Sequence, residues 1–119
     1  EINVGAEASK HGFNAANVCE QLEPLYALDR LFIQGLMCIP PFAPEVEKSR
    51  PYFSELRELR DKLEKLGGAP LPKLSMGMSH DFEIAIACGA TLVRIGTALF
   101  EGLPTVQDQP ADADPVPAD

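Results

Sequence analysis

Short apolar runs recur along the first hundred residues and are typical of buried β-strands. Each run ends at glycine, proline or hydroxyl residues, which commonly terminate strands. The predicted strands cover residues 1–4, 31–39, 73–76 and 91–95. The run LFIQGLMCI at 31–39 is almost wholly apolar, as expected for a strand that is covered on both faces in a parallel sheet.

Apolar residues at three- and four-residue steps predict helices between these strands. The clearest stripe consists of Phe53, Leu56, Leu59, Leu63 and Leu66. The predicted helices start at Ala15 with a break at Pro24, span 52–66 before the stop signal Gly67-Gly68, and span 81–88, with one further turn at 98–100. Alternating strands and helices indicate an α/β fold with parallel strands. Four such units are about half of a TIM-type barrel, which needs about 250 residues.

Composition limits the classes of function. The chain has 119 residues, with 10 Lys plus Arg against 18 Asp plus Glu and a net charge of −8, which argues against general nucleic-acid binding. No apolar run approaches the roughly 20 residues of a membrane span, and no signal segment is visible, so a cytoplasmic protein is expected. The first 102 residues are expected to form the domain, and the Pro-, Ala- and Asp-rich stretch 103–119 a disordered acidic tail. Because the chain begins without methionine, inside a predicted strand, a preceding segment is expected.

Two predicted strand ends carry the residues of a possible anion site. Ser79 follows one strand, and Gly96 and Thr97 follow another. In parallel α/β folds such ends bring hydroxyls and backbone N–H groups together around phosphate. Ser79 would also cap a helix starting near His80, and Gly96 would let a ligand approach the backbone. Ordinary capping and turn roles explain the same residues, so both interpretations stay open at this point.

Charged residues near these strand ends have similar alternatives. Arg94 lies within an apolar strand and would need an anionic or ring-nitrogen partner if buried, or it is a surface charge. Lys10 lies in the loop after the first strand and is either close to the site or simply solvated. His11 and His80 are far apart in sequence, and three scattered cysteines suggest reduced thiols, so a metal site or a disulfide framework has little support.

Four segments of the chain resemble one known family. They read INVGAEASKHGF, GLMCIPP, YFSELRELRDKL and LSMGMSHDFEIAIACGATLVRIGTALF, and they cover about residues 1–100. In this order they resemble the C-terminal half of the pyridoxal-phosphate homeostasis family, single-domain relatives of the alanine racemase barrel domain. The resemblance implies a cytoplasmic, non-catalytic protein that stores and delivers pyridoxal 5'-phosphate.

The resemblance also implies roles for individual residues. Arg94 would face the pyridine nitrogen and keep it unprotonated. Ser79, Gly96 and Thr97 would bind the phosphate, with the Met78 backbone nearby and Ser75 as a secondary candidate. The family's loop lysine corresponds to Lys10, and its pocket-lining strand ends correspond to Asn3 and Met37.

Two departures from the family pattern affect these expectations. The family's Schiff-base lysine lies on a first strand that is absent here, and Glu101 intervenes before the glycine that usually follows the final phenylalanine. The chain is therefore expected to need the missing N-terminal half, or a second copy, to cover its exposed sheet edges. The alternatives are a racemase-like enzyme that uses the same cofactor, and an inactive truncated or split-gene fragment.

Overall fold

A computed structural model describes residues 1–104. Its strands are β1 (Ile2–Asn3), β2 (Phe13–Asn14), β3 (Gly35–Met37) and β4 (Lys73–Ser75). Its α-helices are α1 (Leu22–Tyr26), α2 (Arg50–Gly67) and α3 (Phe82–Ala87), and 3-10 turns cover Val18–Gln21, Val46–Ser49 and Thr97–Leu99. The predicted tail at 103–119 lies almost wholly outside the described residues. No helix within 1–104 is both long and apolar enough to cross a bilayer.

The strands form parallel pairs, which confirms the predicted α/β class. β1 pairs with β2, and β3 pairs with β4 with Met37 opposite Ser75. A single parallel bridge joins Ser75 to Leu92. The order across this second sheet is therefore β3, β4 and the segment around Leu92, and the carboxyl ends of all three lie at one edge.

The long helix α2 covers the core, as its apolar stripe predicts. Phe53 and Leu56 are fully buried, and Leu59 and Leu63 almost so. Leu66, which was expected to belong to the same stripe, is 61% exposed. The helix ends at Gly67 and is capped by Gly68, whose φ of 67° is in the left-handed region and whose N–H donates to Glu64 O at 3.0 Å.

Three predicted elements differ in extent. The run 31–39 contributes only the three residues of β3, and Leu31 and Phe32 at the start of the run are 63% and 84% exposed. The run 91–95 contributes one bridge instead of a strand. The first helix is a 3-10 turn followed by α1, with Pro24 in the first turn, where its missing N–H is not needed. Strand β2 lies in a stretch that was predicted to be loop.

Several large apolar side chains are left on the surface. Those at least 60% exposed are Leu31, Phe32, Phe42, Leu66, Leu99, Phe100 and Leu103. Isolated exposed apolar residues are normal on proteins, but this is a large number of exposed apolar side chains for a small domain.

Candidate functional site

A hydroxyl joins the two strand ends that the sequence singled out. Ser79 Oγ accepts hydrogen bonds from the backbone N–H groups of Gly96 at 3.3 Å and Ala98 at 3.1 Å. We call the resulting structure, residues 78–80 and 96–98, the cup. The predicted capping role of Ser79 is wrong: α3 begins at Phe82, and the residue before it is Asp81. The serine instead holds two separate loops together.

A cavity of about 580 Å³ opens at the cup. Its lining consists of Met78, Ser79, His80, Gly96, Thr97, Ala98, Phe100 and Glu101. The backbone N–H groups of Ser79, His80 and Thr97 make no hydrogen bond within residues 1–104. The cavity thus has unused backbone donors in its lining, together with the Thr97 hydroxyl, and these groups suit an anionic ligand.

Gly77 and Gly96, the two glycines near the cup, differ in whether the surrounding atoms leave room for a side chain. Gly77 has a φ of +102°, and an added Cβ would lie 2.7 Å from the Cβ of Ala85, so the fold itself requires glycine there. An added Cβ at Gly96 would meet nothing within 4 Å. The open space beside Gly96 is therefore available to a ligand.

The tight loop before α3 sets the position of Met78 and Ser79. Asp81 Oδ1 accepts the N–H of Met78 at 2.8 Å, and Met78 O accepts the N–H groups of Asp81 and Phe82 at 3.1 and 2.9 Å. On the neighbouring segment, the Arg94 N–H donates to Gly77 O at 2.9 Å. These bonds fix the backbone of both halves of the cup.

Arg94 lies partly buried beside the cup. Its Nη2 donates to the carbonyl oxygen of Cys38 at 2.9 Å, whereas its Nε is buried and has no hydrogen-bond partner within residues 1–104. A buried charged donor without a partner costs free energy, so this Nε requires a partner such as water, an ion or a ligand. Beneath it, burial raises the pKa of the Cys38 thiol to about 12, although Arg94 nearby acts to lower it.

Lys10 and Asn3 both have hydrogen-bond partners outside the cup. Lys10 Nζ donates to the carbonyl oxygens of Ile39 at 3.0 Å and Pro40 at 3.1 Å, and it pairs with Glu7 Oε2 at 3.1 Å. The Asn3 amide bonds Glu7 O at 2.8 Å and accepts the Glu7 N–H at 3.2 Å. Lys10 is therefore not simply solvated, but neither residue lines the cavity at the cup.

Ser75 and Met37 lie opposite one another on β4 and β3. Both are half-buried, and Ser75 O accepts the N–H of Cys38 at 3.1 Å. They lie at the same edge of the sheet as the cup, but neither residue lines the cavity. Of the nine predicted site residues, the structure brings Met78, Ser79, Gly96 and Thr97 together around the cavity.

Comparison with known proteins identifies the family. The family model described as alanine racemase, N-terminal domain, matches residues 1–104. The chain belongs to this family. The family assignment agrees with the resemblance drawn from the sequence motifs.

Relatives within the alanine racemase N-terminal domain family have names that refer to a cofactor. The chain is 53% identical over 100 residues to the pyridoxal phosphate homeostasis protein of Aquifex aeolicus, a match covering 84% of this chain and 44% of the relative. It is 40% identical over 105 residues to the protein of the same name from Escherichia coli K12, covering 84% and 42%. The chain thus spans less than half the length of these relatives.

Solved structures of one family member are similar in fold. PipY of Synechococcus elongatus, in a structure without pyridoxal phosphate, matches with a TM-score of 0.73 and 34% identity over 79% of this chain and 44% of that chain. PipY with pyridoxal phosphate bound matches with a TM-score of 0.71 and 32% identity, covering 80% and 46%.

Sequence reasoning missed three contributors to the site. The Ala98 N–H and the Cys38 carbonyl act through the backbone, so their residue types carry no signal. His80 lines the cavity at the cup, and its ring contacts Phe42. Its position directly after Ser79 was the only sequence signal for it.

Proposed function

We propose that this chain supplies the phosphate-binding part of a protein that binds pyridoxal 5'-phosphate and maintains its supply without catalysing a reaction. The observation that carries this proposal is the cup, where Ser79 Oγ holds the Gly96 and Ala98 backbone beside a cavity of about 580 Å³. The relatives' name, pyridoxal phosphate homeostasis protein, supports both the ligand and the role.

The residues at the cup fit a phosphate group. The Thr97 hydroxyl and the unused N–H groups of Ser79, His80 and Thr97 are donors of the kind that bind phosphate oxygens. The space beside Gly96 allows a ligand to reach the backbone. Met78 would lie against the bound group through its backbone, and Ser75, the last residue of β4, is a secondary candidate for binding the phosphate. In this role the chain's own residues bind and orient the phosphate.

The proposed partner of the pyridine nitrogen is Arg94. Its buried and unpaired Nε supports this role, because a guanidinium is always charged and would keep a ring nitrogen beside it unprotonated. Bound pyridoxal phosphate supplies an aldehyde and a ring that can withdraw electrons. An unprotonated ring withdraws electrons less well, which suits retention of the cofactor better than catalysis.

For the remaining proposed site residues, the support comes only from where they lie in the fold. Lys10, Asn3 and Met37 lie at or after the carboxyl ends of β1 and β3, where the pocket of a larger barrel would continue. We propose that residues 1–102 form about half of such a barrel, acting in the cytoplasm, and that the other half or a second copy covers the exposed apolar surface. The short parallel strands and the similarity to PipY support a partial barrel.

Titration of the 119-residue chain with pyridoxal phosphate and with unphosphorylated pyridoxal tests this function. Because the phosphate would make two or more charge-assisted hydrogen bonds, each contributing about 1.5–3 kcal/mol, the phosphorylated compound should bind at least about tenfold more tightly. Equal affinity for the two compounds would contradict the proposal. Borohydride treatment should trap no stoichiometric adduct at a lysine.

Substitution Thr97→Val tests the residue assignment, because valine has nearly the shape of threonine but lacks the hydroxyl. We expect it to weaken binding of pyridoxal phosphate about tenfold and to leave binding of pyridoxal unchanged. Ser9→Ala, which removes a hydroxyl from the exposed loop after β1, is the matched control. If both variants retain the affinity of the unmodified chain, the assignment of Thr97 is wrong.

A further inference from the structure

Within residues 1–104, the lining of the cavity at the cup includes no lysine or arginine. The ionisable side chains that this part of the chain contributes to the lining are those of His80 and Glu101. A phosphate bound there would otherwise depend on uncharged donors, namely hydroxyls and backbone N–H groups. Any effect of charge from the lining must therefore come from these two residues.

The imidazole of His80 has a defined orientation. Its Nε2 lies 2.9 Å from the carbonyl oxygen of Ala43, and its ring centroid lies 5.5 Å from that of Phe42. Because a carbonyl oxygen can only accept, Nε2 must carry the proton and donate it. The other ring nitrogen, Nδ1, makes no hydrogen bond within residues 1–104.

Nδ1 is the ring nitrogen that remains for a ligand, because Nε2 is bonded to Ala43 O and His80 lines the cavity at the cup. In a neutral ring with Nε2 protonated, Nδ1 can only accept, whereas in the imidazolium form it donates with a positive charge. A charge-assisted hydrogen bond to phosphate is roughly twice as strong as a neutral one.

The carboxylate of Glu101 would weaken phosphate binding, which is the opposite of the effect of His80. Glu101 follows the 3-10 turn Thr97–Leu99, is exposed, and lines the same cavity as His80. A carboxylate at this position repels a phosphate dianion. No neighbouring cation neutralises it, because no ion pair within residues 1–104 includes Glu101.

Building on the function proposed above, we propose that His80 and Glu101 set the affinity of the cup for phosphate in opposite directions. His80 contributes a charged donor and Glu101 a repelling carboxylate. The other charged groups around His80 are Lys10 and Asp81, which share a second cavity of about 240 Å³ with it. Lys10 is paired with Glu7, and one oxygen of Asp81 accepts the Met78 N–H, so Glu101 is the charged group on the cup side.

Two matched pairs of variants test this proposal. His80→Gln keeps a group that can donate to Ala43 O but removes the positive charge, and His11→Gln makes the same change in the exposed loop after β1. Glu101→Gln removes the carboxylate at the cup, and Glu23→Gln makes the same change in net charge at a different cavity. Binding of inorganic phosphate to each full-length chain is measured by NMR at about pH 6, where histidine side chains in general are substantially charged, with chloride at matched ionic strength.

The two cup variants should change the affinity in opposite directions. We expect His80→Gln to weaken phosphate binding about threefold to tenfold and Glu101→Gln to strengthen it about twofold to fivefold. Both controls should stay within about twofold of the unmodified chain. In the unmodified chain, phosphate should shift the imidazole signal of His80 but not that of His11.

The outcomes separate this inference from the proposed function. If the unmodified chain binds phosphate but either cup variant behaves like its control, His80 and Glu101 do not tune the cup, and the proposed function is unaffected. If the unmodified chain shows no saturable phosphate binding, the phosphate cup itself is refuted, and the inference with it.

Discussion

A methyl group added at Gly96 should block the cup without disturbing the fold. Gly96 lines the cavity, and an added Cβ would meet no atom within 4 Å. If the account is correct, glycine is present at this position because of the ligand and not because of neighbouring protein atoms. Gly96→Ala therefore separates binding from folding.

The expected magnitudes follow from the surroundings of this glycine and of Gly77. At Gly96 the free energy of unfolding should change by no more than about 1 kcal/mol, since the methyl contacts nothing. At Gly77 an alanine would have a φ of +102° and a Cβ 2.7 Å from that of Ala85. A left-handed conformation and an overlap of this size together should cost about 2–4 kcal/mol.

Binding should show the reverse order. The methyl at Gly96 would displace phosphate from one backbone donor, which contributes about 1.5–3 kcal/mol, so affinity for pyridoxal phosphate should fall roughly tenfold to hundredfold. Urea unfolding followed by circular dichroism gives the stability, and fluorescence titration gives the affinity. Gly77→Ala is the control for a glycine that the fold requires.

Two results would refute this reasoning. Loss of stability in Gly96→Ala comparable with that in Gly77→Ala would mean that Gly96 is a structural turn residue. Unchanged stability with unchanged affinity would mean that the open space beside Gly96 is not where phosphate binds.

Two further predictions concern the framework behind the cup. Burial raises the pKa of Cys38 from 9.0 to about 12, so between these pH values the folded state keeps a proton that the unfolded state has lost. The free energy of unfolding should therefore fall with rising pH by up to about 1.4 kcal/mol per pH unit. In urea unfolding between about pH 9 and 11, Cys38→Ala should remove this slope, and an identical slope in the variant would contradict the prediction. Thr91 Oγ1 accepts a hydrogen bond from the N–H of the fully buried Leu74 at 2.8 Å. Thr91→Val should therefore lower the free energy of unfolding by about 1–3 kcal/mol, whereas Thr91→Ser, which keeps the hydroxyl, should not lower it. Equal stability of the two variants would show that this hydrogen bond does not stabilise the fold.

The sequence predicted the positions of the main elements better than their lengths. The stripe on α2 is local and strongly periodic, so Phe53 and Leu56 were placed correctly in the core. Strand length depends instead on the partner strand. Leu31 and Phe32 read as strand because they are apolar, but they are exposed and unpaired in the described part of the chain. The sequence at Phe13–Asn14 shows no hydrophobic pattern from which its pairing with β1 could have been predicted.

The sequence predicted which residues come together at the cup better than it predicted the hydrogen bonds that they make. Strand-end chemistry pointed to Ser79, Gly96 and Thr97, and the structure brings them together. A sequence cannot distinguish a serine that caps a helix from one that accepts hydrogen bonds from a distant loop, because both use the same oxygen. The sequence also did not show the partners of Lys10 and Asn3, which include the Ile39 and Pro40 carbonyls for the lysine and Glu7 for the asparagine. Their roles in binding a cofactor stay predictions.

The central claim is that the cup binds the phosphate of pyridoxal phosphate, and NMR titration of backbone amides tests it most directly. Adding pyridoxal phosphate, and separately inorganic phosphate, to the ¹⁵N-labelled chain should shift the amide signals of Ser79, His80 and Thr97 most, because these N–H groups make no hydrogen bond within residues 1–104. Both compounds should affect the same amides. Absence of shifts at the cup, or larger shifts at the cavity near Tyr26 and Gly67, would contradict the account.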